Sequence, residues 1–299
     1  MNANMNAAAA GQLVLGADLG VNRLGFGAMR ITGAGVWGDP PDVASAVRVL
    51  QRAVRLGVNF IDTADSYGPE VSETLIARAL HPYSPDIIIA TKGGLVRPGP
   101  EAWNRDARPE HLRGACEGSL RRLRRERIDL YQLHSPDPKV PLEDSIGALV
   151  RLKEEGKIRH IGVSNVSVEE LKRCERLTPI VSVQNRYNLD DRGSEEVLAY
   201  CESRAIAFLP WAPLGSGRHA RGSGARRLLE RVRGSRALRA LETVAERHGI
   251  TVAQAAIAWL LERSKVMLPI PGTGSLEHLE QNVAAASVRL SAKDMHELG

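Results

Sequence analysis

Residues 128–165 read IDLYQLHSPDPKVPLEDSIGALVRLKEEGKIRHIGVSN. Two short apolar runs, Ile128 to His134 and His160 to Ser164, bracket a segment from Leu142 to Glu155 whose apolar residues fall at helical spacing. Strand, helix and strand in one short stretch is the sequence sign of a parallel βαβ unit. The pattern extends in both directions along the chain. Further runs rich in Val and Ile occur at Gly25 to Met29, Asn59 to Thr63, Ile87 to Lys92, Val181 to Gln184, Ala207 to Trp211 and Met267 to Pro271. Between them lie helical stretches such as Asp42 to Leu56, Pro109 to Arg124 and Ser194 to Arg204. Eight strand–helix repeats within 299 residues predict an α/β protein, a single closed (β/α)8 TIM barrel, whose usual size is about 250 residues.

Several stretches depart from the repeat. Leu13 to Gly25, with Gly16 and Val21-Asn22-Arg23 between short apolar runs, reads as an N-terminal β-hairpin at the barrel floor. Residues 1–12 are expected to form a flexible leader ahead of a barrel domain spanning 13–299. After the seventh strand, Gly215 to Gly234 is too long for a plain connector. It is followed by two helical segments, Arg236 to His248 and Val252 to Arg263, one more than a barrel requires.

Composition narrows the function classes. Hydrophobic residues make up 43% and charged residues 25% of the chain, which suits one well-filled globular domain. No apolar run approaches the roughly 20 residues needed to span a bilayer, and the opening MNANMNAAAA has neither the basic start nor the Leu-rich stretch of a signal peptide. Cys116, Cys174 and Cys201 are odd in number and widely spaced, so no disulfide framework or metal site is expected; a reducing, cytoplasmic location fits. The net charge is +5, and 33 of the 40 basic residues are arginine. The densest run, Arg121-Arg122-Leu123-Arg124-Arg125-Glu126-Arg127, has no interleaved aromatics on which bases could stack. It is expected to be a solvated helix face, and no nucleic-acid or membrane partner is anticipated.

In a TIM barrel the working groups sit at the C-terminal ends of the strands. Four proton-handling side chains stand there, Asp62, Tyr67, Lys92 and His134, in the strings NFIDTADSYG, IIIATKGG and LYQLHSPD. They follow the second, third and fourth strands, which are neighbours in a barrel. Their chemistry is complementary. Hydride transfer to a carbonyl leaves an alkoxide that needs a proton, and a tyrosine can give it if a cation shares the resulting charge. For such a step Lys92 is expected to supply the cation, Asp62 to hold it, and His134 to donate a hydrogen bond that orients the carbonyl.

These strings resemble the signature of the aldo-keto reductase family, and the likeness continues through IGVSN (161–165), VQNRYN (183–188), PWAPLGSG (210–217) and PIPGTGSLEHLEQN (269–282). The resemblance places the family's active-site tetrad on Asp62, Tyr67, Lys92 and His134 and implies NADPH as cofactor, NADH being possible, with a small-molecule carbonyl substrate. It implies that Ser164, Asn165 and Gln184 hold the nicotinamide carboxamide and that Trp211 stacks on the ring. Further cofactor contacts are implied at Gly27, Ala28, Met29 and Asp62, at Ala212, Pro213, Leu214, Gly215 and Gly217, and at Thr273, Ser275, Gln281 and Asn282. Gly272 and His278 stand where better-known branches carry a Lys and an Arg that grip the 2′-phosphate, so a reduced preference for NADPH is expected. The chain ends at Gly299 without the long C-terminal loop of some branches, which implies an open pocket, with Trp37 and Trp103 as candidate walls. The likeness to bacterial pyridoxal-reductase-like members makes an aromatic aldehyde such as pyridoxal the expected substrate. Two other uses of the barrel remain open: a Schiff-base aldolase acting through Lys92, and a cofactor-loaded regulatory partner.

Overall fold

The computed structural model describes residues 5–100, 102–214 and 236–299. In chain order, a hairpin of β1 (Gln12–Leu15) and β2 (Leu19–Asn22) precedes β3 (Phe26–Gly27), α1 (Val43–Arg55), β4 (Phe60–Asp62), α2 (Val71–Leu80) and β5 (Ile88–Gly93). A short hairpin of β6 (Leu95–Val96) and β7 (Asn104–Arg105) leads to α3 (Pro109–Leu123), β8 (Ile128–Leu133), α4 (Leu142–Glu154), β9 (Ile158–Ser164), α5 (Val168–Glu175), β10 (Ile180–Gln184), α6 (Glu195–Arg204) and β11 (Ala207–Phe208). The described remainder holds α7 (Arg236–His248), α8 (Val252–Arg263), α9 (Leu276–Ala284) and α10 (Ala292–Leu298). The ends of the helices follow their capping residues: Asp42, Ser167, Thr251, Ser275 and Ser291 each accept a first-turn N–H.

Seven parallel strands run in the order β3-β4-β5-β8-β9-β10-β11. The eighth position is filled by residues 266–269, which are too irregular to make a full ladder. Phe208 N donates to Val266 O at 2.8 Å and Leu268 N to Phe208 O at 2.9 Å, while Gly25 N donates to Pro269 O at 2.9 Å. Those bonds join the seventh strand to the first and close the barrel. The seam is tight: a Cβ at Gly272 would lie 2.3 Å from Gly27 O, and one at Gly27 would lie 2.6 Å from Ile270 O. Only glycine lets the two backbones approach so closely.

The strands are buried on both faces, with helices outside and side chains within. Alternate residues point inward. Phe60, Ile88, Ala90 and Leu130 pack with Leu15, Leu19 and Val21 of the first hairpin. Ile89, Tyr131 and Leu133, one residue out of phase, pack instead with the helices. The hairpin therefore plugs the barrel floor, and its turn residue Asp18 binds Arg159 and His160 at the start of β9.

The stretch expected to be a flexible leader is docked from Met5 onward. Asn6 caps a short 3-10 turn of Ala7–Ala10, Ala7 N donates to Leu56 O at 2.8 Å, and Ala7 and Ala10 are buried among Leu56, Ala285 and Ala286. Two small apolar side chains, Ala7 and Ala10, are enclosed there, a contact that local composition does not reveal. The arginine run is likewise only partly a solvated face. Arg122 Nε donates to the buried Glu73 at 2.6 Å, and Arg125 stacks 4.3 Å from the Tyr83 ring centre.

Candidate active site

The inward-facing period carries polar side chains once the strands rise past the hydrophobic layers. Asp62 is the last residue of β4, Lys92 lies two residues beyond Ala90 on β5, and Gln132 lies two beyond Leu130 on β8. The register sets Asp62 beside Ala90 and Lys92 beside Gln132. Lys92 is fully buried. Its Nζ donates to Asp62 Oδ2 at 2.8 Å, to Thr63 O at 2.8 Å and to Tyr67 Oη at 3.5 Å. The other carboxylate oxygen, Asp62 Oδ1, accepts from Gln184 Nε2 at 2.8 Å and from Gln132 Nε2 at 3.3 Å. Every ammonium proton thus has an acceptor, and the carboxylate is held from both sides.

Tyr67 comes from the turn after β4. Gly68, at φ +105, bends the chain back so closely that a Cβ there would strike the Val71 side chain. His134 follows β8, and its ring meets the Tyr67 ring edge-on at 5.8 Å. Ser66 Oγ lies 3.4 Å from His134 Nδ1; a neutral ring that accepts from Ser66 there carries its proton on Nε2.

The electrostatics separate these groups. Burial pushes the Tyr67 phenol above its ordinary range, opposed by the charge of Lys92. Burial also disfavours the Lys92 ammonium, but Asp62 and Tyr67 more than offset it and the pKa ends above the ordinary value. Burial, then the nearby Lys92 charge, holds His134 well below its usual pKa. At neutral pH the site therefore presents a protonated phenol beside a fixed ammonium and a neutral imidazole.

The other expected residues fall into three groups. Ser164, Asn165 and Gln184 are joined to the tetrad: Ser164 Oγ donates to Gln184 O at 2.7 Å, and Asn165 Nδ2 to His134 O at 3.0 Å. Trp211 is attached to them, its Nε1 donating to Asn165 Oδ1 at 3.0 Å, with the Arg186 guanidinium 5.4 Å from its ring centre. Asn165 and Ala212 both take positive φ, 58 and 52, which turns the chain sharply at these two strand ends.

The second group lies at the seam. Gly27 and Gly272 oppose each other across it. Ala28 O accepts from Ser72 Oγ and Met29 O from Thr32 Oγ1. Thr273 Oγ1 accepts from Ser275 N at 3.1 Å, Ser275 caps α9, and His278 is exposed on its first turn, followed by Gln281 and Asn282. Pro213 and Leu214 precede residue 215, while Gly215 and Gly217 lie outside the described residues.

The third group is the wall. The Trp103 ring stands 6.3 Å from Tyr67 and 6.5 Å from His134. Trp37 pairs through its backbone with Gly68, directly after Tyr67.

Two residues escaped the sequence reading. Gln132 had a signal, since it lies two positions before His134 and so on the same strand face. Arg97 had none: it sits in a Gly- and Pro-rich loop, and its hydrogen-bond partners are all backbone carbonyls.

A family model described as the Aldo/keto reductase family matches residues 23–299. An uncharacterized oxidoreductase of Schizosaccharomyces pombe is 47% identical over 289 residues, covering 97% of this chain and 89% of the relative. Pyridoxine 4-dehydrogenase of Escherichia coli is 37% identical over 278 residues, 91% of each chain. Among solved structures, an aldo-keto reductase from Klebsiella pneumoniae in complex with NADPH superposes with a TM-score of 0.77 at 28% identity, covering 96% of this chain and 93% of that one. The chain belongs to the aldo/keto reductase family and is an oxidoreductase.

Proposed function

We propose that this protein reduces an aldehyde or ketone to the alcohol with NADPH as reductant and Tyr67 as the proton donor. The observation that carries the reading is the buried Lys92, held 2.8 Å from Asp62 and 3.5 Å from the Tyr67 hydroxyl. NADPH, when bound, supplies the hydride that adds to the carbonyl carbon. Tyr67 gives its proton to the oxygen, the phenolate charge is shared with Lys92, and solvent later restores the proton. His134 is neutral, so it orients the carbonyl oxygen by a hydrogen bond and does not act as the acid. The polar set of Ser164, Asn165 and Gln184 beside Trp211 suits an amide-bearing aromatic ring, and the start of α9 at Ser275 suits a phosphate. The NADPH complex of the Klebsiella relative supports that cofactor.

For the substrate we favour an aromatic aldehyde, pyridoxal among them. Trp103 lies beside the tetrad rings, and the E. coli relative is named for pyridoxine, the alcohol corresponding to pyridoxal. A Schiff-base role for Lys92 is disfavoured because that chemistry needs an uncharged amine, whereas Asp62 and Tyr67 hold this one as an ammonium. Following NADPH absorbance with an aldehyde panel that includes pyridoxal tests the reading. Turnover with aldehydes is expected; trapping of a substrate on Lys92 by borohydride without nicotinamide would replace it.

A further inference from the structure

Arg97 lies in the loop between β6 and β7 and is only 9% exposed. Its guanidinium reaches three strand-end loops at once. Nη1 donates to Val36 O at 2.8 Å and Ser66 O at 3.3 Å, and Nη2 to Gly35 O at 2.9 Å and Gly99 O at 3.4 Å. Nε donates to Ala102 O at 2.7 Å. The five donors of a planar fork thus meet five carbonyls, an arrangement that the compact ammonium of a lysine cannot reproduce.

The face of the same group lies on Trp103, with Cζ 3.7 Å from the ring centre, and 5.8 Å from the centre of Trp37. Trp103 is 37% exposed. It is held by its preceding carbonyl, by the guanidinium stacked against it and by edge contacts with Tyr67 and His134. Remove the guanidinium and a partly exposed indole just before the two-residue strand β7 has little left to fix its angle.

We propose that Arg97 is a positioning residue that sets the substrate range: by clamping three loops it holds Trp103 as a flat wall beside Tyr67 and His134, and so favours planar aromatic carbonyls over small aliphatic ones. The inference rests on the carbonyl-reductase reading above. A flat ring gains contact area from a fixed wall, and a small aldehyde reaches the tetrad without touching it.

The test is steady-state kinetics with NADPH and two substrates, 4-nitrobenzaldehyde and propanal, on the wild type, Arg97→Lys, Trp103→Ala and the double variant. Arg97→Lys keeps the charge and removes the fork. It is expected to raise KM for 4-nitrobenzaldehyde and lower the aromatic-to-aliphatic ratio of kcat/KM about tenfold. Propanal turnover should change little, and NADPH affinity, read by tryptophan fluorescence, should hold. In the Trp103→Ala background the same change should leave the ratio where Trp103→Ala alone puts it. An equal loss for both substrates, or an unchanged ratio, overturns the proposal. Should Arg97→Lys fail to fold, Trp103→Ala alone decides: an undiminished ratio there removes the wall and the inference with it. A wild type that reduces neither aldehyde refutes the reductase reading itself, a result distinct from any change in ratio.

Discussion

Lys92 is the residue around which the site is organised, because its three donors connect a carboxylate, a backbone carbonyl and the phenol. Tyr67→Phe keeps the ring and removes the proton. It should lower kcat/KM for aldehyde reduction by about 10²–10⁴-fold with NADPH affinity unchanged, as kinetics and fluorescence titration would show. Near-wild-type reduction by this variant would mean that another group is the acid. The pH profile gives a second check. The Tyr67 pKa is raised above 10.0, so the phenol keeps its proton until strongly alkaline pH; the His134 pKa is depressed below 6.5, so the ring does not titrate near neutrality. Reduction should therefore hold a nearly constant kcat/KM from about pH 6 to 9 and decline only on the alkaline side. An inflection near the ordinary histidine value that disappears in His134→Gln would transfer the acid role to His134.

At the scale of elements, the C-terminal helix shows how a short segment is held. α10 has seven residues, too few to persist in isolation. Its buried Asp294 closes a capping box with Ser291 and binds Arg247 and His248 of α7. Burial works against the Asp294 charge, yet bonds from Ser291, His248 and Arg247 hold its pKa below the usual carboxylate value of 3.8. A depressed carboxylate pKa contributes stability that is full above the unfolded value and is lost as pH falls through the folded one. Asp294→Asn should therefore cost about 2 kcal/mol at pH 7, and its deficit in urea unfolding should shrink as the pH is lowered below about 4. A deficit independent of pH would show that packing, not charge, is what Asp294 supplies.

At the scale of the whole molecule, barrel closure and the residues expected at the cofactor's phosphate end meet in one place. Gly272 faces Gly27 across the seam, so adding a lysine side chain there to restore a phosphate clamp would collide with backbone. Gly272→Ala should already cost about 1–3 kcal/mol by overpacking, whereas Gly20→Ala, with nothing within 4 Å, should be nearly neutral; chemical denaturation of both separates the cases. The exposed His278 on the first turn of α9 offers a site for charge that leaves the seam intact. His278→Arg is expected to tighten NADPH several-fold, leaving NADH nearly unchanged, since an arginine can bind the extra phosphate bidentately. Equal gains for both cofactors in binding titrations would place the 2′-phosphate elsewhere.

The sequence by itself determined the parts that depend on period. Alternating Val- and Ile-rich runs and helical stretches specify the barrel strands, and Asp62, Lys92 and His134 stand at the C-terminal ends of neighbouring strands, so they were legible as neighbours before any coordinates. Tyr67 was legible with them, just after the second strand, and the family motifs added the residues expected to hold the nicotinamide. Tertiary structure alone decided what depends on backbone meeting backbone, or on one side chain reaching across several loops. The docking of Ala7 and Ala10, the inward turn of Arg122, the glycine seam and the five-carbonyl clamp of Arg97 are of this kind. A carbonyl is present at every residue and so leaves no pattern in composition or spacing, and a glycine in the sequence does not tell which backbone it admits; the partners are chosen only when distant segments are brought within bonding distance.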